Sequence, residues 1–301
     1  MTKNILLFIL ILLMWSCGNS GKKQIDDAAT AFDNGDYERA ISLLDKVISS
    51  GNTSGKVYFM RGSSKYNLND FEGALADYDK ALESTKDDPE IFFHRGLTRF
   101  ALNQHNPSIE DFTMAVTLRP DYAEAFQYRA ENWLALNVID SALTDLNRAI
   151  DYNENLAGPY HSLGKYYSST SDYNQAIAYY SRAIELEPKA EYLFNRGLAY
   201  FHESDFENSI NDLSSSISMD GTRVDAFVMR GIARDETGSS PLALEDFDKA
   251  ITLDPENGYA YFNRGITKKN QGDTQGACAD FNKALELGYT EAIAKTGDCI
   301  N

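Results

Sequence analysis

An arginine followed by glycine, after aromatic and apolar residues, returns along the chain at a fixed spacing. The motif reads YFMRG ending at Gly62 and FFHRG ending at Gly96, and Arg61 and Arg95 are 34 residues apart. The series continues to Arg264, and one of its sites has no arginine. Successive sites are 34 residues apart, except for one step of 33. Self-similarity with such a period indicates stacked repeats, so the period, more than the length of 301 residues, decides how the chain is divided.

Two series of small residues keep the same period and lie seven positions apart. One series contains Ala74 and Ala142, the other contains Ala81 and Ala149, and a large apolar residue such as Tyr78 lies between them. Apolar residues at intervals of three, four and seven predict two short amphipathic helices in each period. Because small side chains let two helices approach closely, each period is predicted to fold as a helix pair.

Residues 157–188 carry the fullest version of the pattern, with Gly164, Tyr167, Ala176 and Tyr180 in place. This pattern resembles the tetratricopeptide repeat, and the resemblance extends over residues 21–288. It implies an all-α fold, a right-handed α-solenoid of about eight helix-turn-helix units in which each pair covers the apolar side of the next. The units are predicted to begin near residues 21, 55, 89, 123, 157, 190, 224 and 258.

The N-terminus has a different composition. Lys3 is followed by an apolar run over residues 5–15, which is too short for a membrane-spanning helix of about 20 residues but is typical of a secretory signal. The residues before Cys17 resemble a bacterial lipobox, which implies a signal peptide over 1–16 and a lipid on Cys17. An ordinary signal peptide, in which Cys17 has no role, is the alternative. Residues 17–23 are then the lipidated cysteine and a short tether, and 24–288 form the solenoid.

Sixteen residues after each recurring arginine lies an aspartate. The one period with Leu163 instead of arginine also has Tyr179 instead of aspartate, so the two residues disappear together. We therefore predict structural ion pairs between the two helices of one repeat, with pairs between neighbouring repeats and a surface arginine ladder for anions as the alternatives. The predicted pairs are Arg61–Asp77, Arg95–Asp111, Arg129–Asp145, Arg196–Asp212, Arg230–Asp246 and Arg264–Asp280.

The C-terminal end is predicted to close the repeats. Gly288 is a stop signal for the last repeat helix, and residues 289–301 are predicted to form a short capping helix with Ala292 on its apolar face. Cys278 and Cys299 can form a disulfide outside the cytosol. Two free, buried thiols are the alternative.

The chain carries no motif of an enzyme active site. Its four histidines lack metal-ligand spacing, and no phosphate-binding or dinucleotide-binding motif is present, so we expect no catalysis, no metal and no cofactor. A net charge of −17 repels phosphate backbones, which excludes nucleic acid as the expected partner.

The resemblance implies that the first helices of the repeats line a concave groove. Side chains predicted to point there are mostly aromatic or apolar, which is typical of anchors for a protein partner. The candidate groove residues are Phe59, Phe93, His94, Gln127, Tyr128, Glu131, His161, Lys165, Phe194, Asn195, Met229, Phe262 and Asn263.

These features together favour a lipid-anchored, non-enzymatic scaffold that binds a peptide or protein partner in its groove. The expected location is the bacterial cell envelope, at the outer membrane of a Gram-negative cell, on its periplasmic or its surface side. A fixed structural subunit of an envelope assembly or transport complex is the alternative.

Overall fold

The computed structural model describes residues 21–296 and residue 299. Every regular element in this part of the chain is a helix, which confirms the all-α prediction. No helix among these residues has both the length and the apolar character needed to cross a bilayer. The predicted signal peptide and Cys17 lie outside the described residues. The chain divides into two compact units, Met1–Glu154 and Asn155–Asn301.

Unit one consists of helix pairs in which each helix is antiparallel to its partner in the manner of a helical hairpin. The two helices of a pair pack closely, and each second helix also contacts the first helix of the next pair. In order, the helices are α1 (21–33), α2 (Tyr37–Ser49), α3 (Gly55–Asn67), α4 (Phe71–Ser84), α5 (Pro89–Ala101), α6 (His105–Leu118), α7 (Ala123–Ala135) and α8 (Ile139–Tyr152).

Unit two repeats this arrangement with four further pairs and a short terminal segment. Its helices are α9 (Ala157–Ser169), α10 (Tyr173–Leu186), α11 (Ala190–His202), α12 (Phe206–Met219), α13 (Val224–Glu236), α14 (Ser240–Leu253), α15 (Gly258–Asn270) and α16 (Thr274–Glu286), followed by a 3-10 turn (Thr290–Ala292) and α17 (Ile293–Thr296). Within each unit the predicted stacking of adjacent helix pairs is confirmed.

The helices of a pair cross at one small residue. Glycines such as Gly62 and Gly96 lie against the rings of Tyr78 and Phe112, where an added Cβ would come within 2.9 Å of a ring carbon. The rings themselves are fully buried. The missing Cβ of the glycine therefore makes room for a large aromatic side chain in the core of these pairs.

The ends of the repeats differ from the sequence prediction. Residues 21–23, expected in the tether, belong to α1, which packs Ile25 and Ala28 against Val57 of α3. At the C-terminus, where a capping helix is predicted over 289–301, the described residues form a 3-10 turn and the four-residue α17. Ala292 is buried, as expected for the apolar face of this segment, but Ile293 is 58% exposed.

The turn inside each pair requires one residue with a left-handed backbone. Ser171 and Ser204 occupy this position with φ of 61°, where other pairs have glycine or asparagine. The next residue, Asp172 or Asp205, begins the second helix and accepts a hydrogen bond from its third backbone N–H.

Replacing Ser171 or Ser204 by glycine is expected to raise the free energy of unfolding by about 0.5–1 kcal/mol. The left-handed conformation costs an L residue about 1–2 kcal/mol, which is more than the extra chain entropy of glycine. Urea unfolding measures the change. Ser215→Gly, at an exposed position inside α12, is the control and is expected to lower stability. Equal effects at Ser204 and Ser215 would contradict the assignment of the turn.

Candidate functional site

All candidate groove residues lie on the first helices of their pairs. Within unit one, α3 contacts α5 and α5 contacts α7, and within unit two the successive first helices α9 to α15 contact one another in the same way. We call the surface that these helices form in each unit its first-helix surface. Because the first helices of successive pairs lie side by side, the candidate residues of neighbouring pairs are close together within each unit.

Three of the candidate residues are buried. Phe93, His161 and Phe194 are 8–9% exposed, so their side chains fill space between helices. The Phe93 ring lies 4.7 Å from the ring of Tyr122 and 5.9 Å from that of Tyr128. These residues shape the first-helix surface from below and offer little area to a partner.

His161 and Asn195 connect two neighbouring pairs of unit two. The Asn195 side-chain amide donates to Nε2 of His161 at 2.9 Å, and the His161 ring stacks on Tyr192 with centroids 4.3 Å apart. Burial lowers the pKa of His161 to about 4, so the ring is neutral at physiological pH. A neutral ring that accepts a hydrogen bond and stacks is a packing element here, and it offers no charge to a ligand.

The other candidates are half-buried, apart from the exposed Lys165. Phe262 packs between the rings of Phe281 and Tyr289, with centroids 5.9 and 4.9 Å away. Met229 packs against the cluster around Leu213. Polar members make local hydrogen bonds: Gln127 donates to Glu131 at 2.9 Å, and Asn263 donates to a backbone carbonyl of its own helix.

An apolar pocket of about 210 Å³ opens on the first-helix surface of unit one. It lies between α1 and α3, and Phe59 forms part of its wall; the Phe59 ring contacts that of His94 at 5.2 Å. Asp33 and Lys56 are exposed residues that contribute its charged groups. The full lining is Ala29, Phe32, Asp33, Lys56, Phe59, Met60 and Ser63.

Of the seven lining residues, Phe59 alone is among the candidate groove residues predicted from the sequence. Ala29 and Phe32 belong to the first repeat, which matches the repeat pattern least well. The sequence feature that could have identified them is their spacing of three residues, which places them on the same helix face as Ile25.

Each recurring arginine donates to the aspartate of its own pair. Arg61 Nε donates to Asp77 Oδ2 at 2.9 Å, and Arg196 Nε donates to Asp212 Oδ2 at 2.7 Å. The aspartates are buried. The hydrogen bond to Asp77 raises the pKa of Arg61 above its ordinary value. The same contact joins Arg95 to Asp111, Arg129 to Asp145, Arg230 to Asp246 and Arg264 to Asp280.

The remaining guanidinium nitrogen of each arginine contacts the preceding pair. Arg61 Nη1 donates to Asp45 at 2.6 Å, Arg95 Nη1 to Asp79 at 2.6 Å, and Arg129 Nη1 to Thr113 at 3.1 Å. The aspartates predicted from the sequence thus bind within their own pair, and the contacts with the preceding pair use other acceptors. The arginines are therefore occupied on two sides and serve the packing of neighbouring pairs.

Cys278 and Cys299 are joined by a disulfide that ties α16 to the C-terminal segment. In the part of the chain that the structure describes, no group of histidine, cysteine and acidic side chains is arranged to hold a metal ion. The first-helix surfaces present an apolar pocket and partly exposed aromatic rings, and both can contact a binding partner.

Family models of a repeat match three parts of the chain. Family models described as "TPR repeat" and "Tetratricopeptide repeat" match residues 62–103, 161–215 and 247–279. No curated protein matches the chain in sequence.

Solved structures share the fold at low identity. A tetratricopeptide repeat protein from Parabacteroides merdae aligns with a TM-score of 0.61 at 17% identity, covering 83% of this chain and 99% of that one. TTC0263 of Thermus thermophilus gives 0.51 at 20% identity, covering 60% and 98%, and MamA gives 0.51 at 24% identity, covering 54% and 96%. The three sequence matches identify tetratricopeptide repeats in these three parts of the chain, and the helix pairs of the other described residues pack in the same manner.

Proposed function

We propose that the protein is a non-enzymatic scaffold that binds a peptide or protein partner on its first-helix surface. The observation that carries this proposal is the apolar pocket of about 210 Å³ between α1 and α3, with Phe59 and Met60 in its wall. Pockets with aromatic and methionine walls accept the apolar anchor side chains that contribute most to the affinity of protein interfaces.

The charge of the chain supports the choice of partner. A net charge of −17 slows the approach of polyanions, so a polypeptide partner that is neutral or basic fits better than a nucleic acid. The apolar pocket then supplies affinity, and the negative net charge of the chain influences the rate of association.

The proposal places the scaffold at the cell envelope, held by lipid on Cys17. The apolar run over residues 5–15 and the residues before Cys17 support this placement. Several acyl chains on one cysteine would hold the protein firmly at a membrane, since each buried CH₂ contributes about 0.8 kcal/mol. Cys17→Ser is expected to abolish incorporation of labelled fatty acid, and retained label would contradict the anchor.

Co-purification of partners from gently solubilised membranes tests the scaffold. Phe59→Ala removes a wall of the pocket and is expected to lower partner affinity roughly 30-fold, as expected for an anchor worth about 2 kcal/mol. Met114→Ala is the matched control, because Met114 is 41% exposed on α6, a second helix. Equal thermal midpoints for both variants show that the pocket change is local.

Unchanged recovery of a stoichiometric complex with Phe59→Ala would contradict binding through this pocket. That result would favour the alternative role, a fixed subunit of an envelope assembly that uses another surface.

A further inference from the structure

In four helix pairs, the buried aspartate binds a second cation as well as the recurring arginine. This cation lies one helical turn after that arginine and contacts the same Oδ2 oxygen at 2.8 Å in each case. The contacts are Lys65–Asp77, Arg99–Asp111, Arg234–Asp246 and Lys268–Asp280.

The second cation also reaches a backbone carbonyl at the start of the second helix. Lys65 Nζ donates to the carbonyl of Gly73 at 3.4 Å, and Arg99 Nη1 donates to that of Pro107 at 3.1 Å. Arg234 Nη1 makes the equivalent bond at 3.3 Å. A carboxylate oxygen and a carbonyl four residues before it thus form a repeated slot for an ammonium or guanidinium group.

The α7–α8 pair has this slot but places Trp133 where the others have lysine or arginine. Asp145 is 3% exposed, and among the described residues its Oδ2 accepts only from Nε of Arg129. Ser141 stands four residues before Asp145, at the position of Gly73 in the α3–α4 pair. A cavity of about 370 Å³ lies here, lined by Arg129, Trp133, Asp140, Ser141, Thr144 and Asp145.

The walls of this cavity suit a cation. Asp140 is exposed and makes no ion pair among the described residues, so two carboxylates face the single guanidinium of Arg129. Trp133 adds an indole face, the aromatic surface that attracts cations most strongly. In the described part of the chain, no cation lies over that ring.

The α11–α12 pair shows that an aromatic residue at this position does not by itself make a site. There Tyr200 replaces the second cation, and the guanidinium of Arg196 lies 5.8 Å from the centre of its ring. In the α7–α8 pair, Arg129 instead lies over Phe126, at 5.3 Å, which leaves the Trp133 ring to the cavity.

We propose that the α7–α8 cavity binds the guanidinium or ammonium group of an arginine or lysine side chain from a partner polypeptide. The partner's cation takes the position that Lys65 has in the α3–α4 pair and Arg99 has in the α5–α6 pair. Asp145 and the Ser141 carbonyl accept its hydrogen bonds, and Trp133 forms one wall. The cavity lies between the helices of one pair, apart from the pocket on the first-helix surface, so either assignment can fail alone.

Nuclear magnetic resonance titration of the full chain tests the site. The probes are N-acetyl-arginine amide, its lysine counterpart, and N-acetyl-citrulline amide, which has nearly the shape of arginine without its charge. Saturable shifts of the Ser141 and Thr144 backbone amides are expected with arginine or lysine. Citrulline is expected to bind at least about tenfold more weakly, the ratio for a loss of about 1.4 kcal/mol. Putrescine distinguishes a free diamine from a side chain: tighter binding of putrescine than of both amino-acid probes would overturn the assignment to a polypeptide.

Two variants complete the test. Trp133→Lys supplies in the chain the cation that the sister pairs have, and it is expected to abolish the shifts. Asp140→Asn changes an exposed residue, so folding is retained, and it is expected to weaken binding at least about threefold, as one partly screened charge contact is lost. Equal responses to arginine and citrulline, or full binding in both variants, would overturn the proposal.

Discussion

Replacing Asp77 by alanine is expected to lower the free energy of unfolding by about 3–5 kcal/mol, the cost of leaving a buried charge without its partner. The Asp77 side chain is 3% exposed and holds two cations, Arg61 and Lys65. Its removal leaves both groups, each about one-fifth exposed, without the carboxylate that offsets their loss of water. Urea unfolding of the full chain measures the loss.

Asp45→Ala provides a matched control on the same arginine. Asp45 binds the other side of the Arg61 guanidinium but is 52% exposed, so its contact is screened by water. Its loss is expected to cost less than about 1 kcal/mol. Similar costs for the two variants would show that burial does not decide the strength of these pairs.

Gly164→Ala is expected to destabilise the protein by about 1–3 kcal/mol, although alanine favours helix over glycine by about 1 kcal/mol. An added Cβ would lie 2.5 Å from Cδ1 of Tyr180, whose ring is fully buried. The ring cannot move without displacing its neighbours, so the helices of the α9–α10 pair must separate. Thermal unfolding measures the net effect.

The chain itself contains the compensating change. The α7–α8 pair has Ala130 with Leu146 where the α9–α10 pair has Gly164 with Tyr180, and both residues are buried. Adding Tyr180→Leu to Gly164→Ala is therefore expected to recover part of the lost stability, relative to the sum of the two single changes. Additive losses would contradict a steric cause at this crossing.

The period of the sequence was sufficient to predict the helix pairs, because spacing alone determines which residues share a helix face. It also indicated the partners of the recurring arginines, since Leu163 and Tyr179 replace both members at once. The contacts of those arginines with Asp45 and Asp79 were not predictable, because they depend on how closely one pair approaches the next.

The candidate site was predictable only in part. Helix periodicity places Phe59 and Phe93 on the same face, but only the packing of neighbouring rings makes Phe93 buried and leaves Phe59 in the wall of a pocket. The α7–α8 cavity exists because this repeat has Trp133 where four other repeats have a lysine or an arginine. Such a difference becomes visible when the oxygen atoms that bind Lys65 and Arg99 are compared with those around Trp133.

Photo-crosslinking in intact cells tests the central claim, that a partner binds the first-helix surface. A photo-reactive residue is placed at Phe59 on α3 or at Asn263 on α15, and as controls at Met114 and Leu242, which are 41% and 45% exposed on the second helices α6 and α14. The account predicts a partner adduct from Phe59 or Asn263 and none from the controls. Adducts from Met114 or Leu242 alone would contradict it.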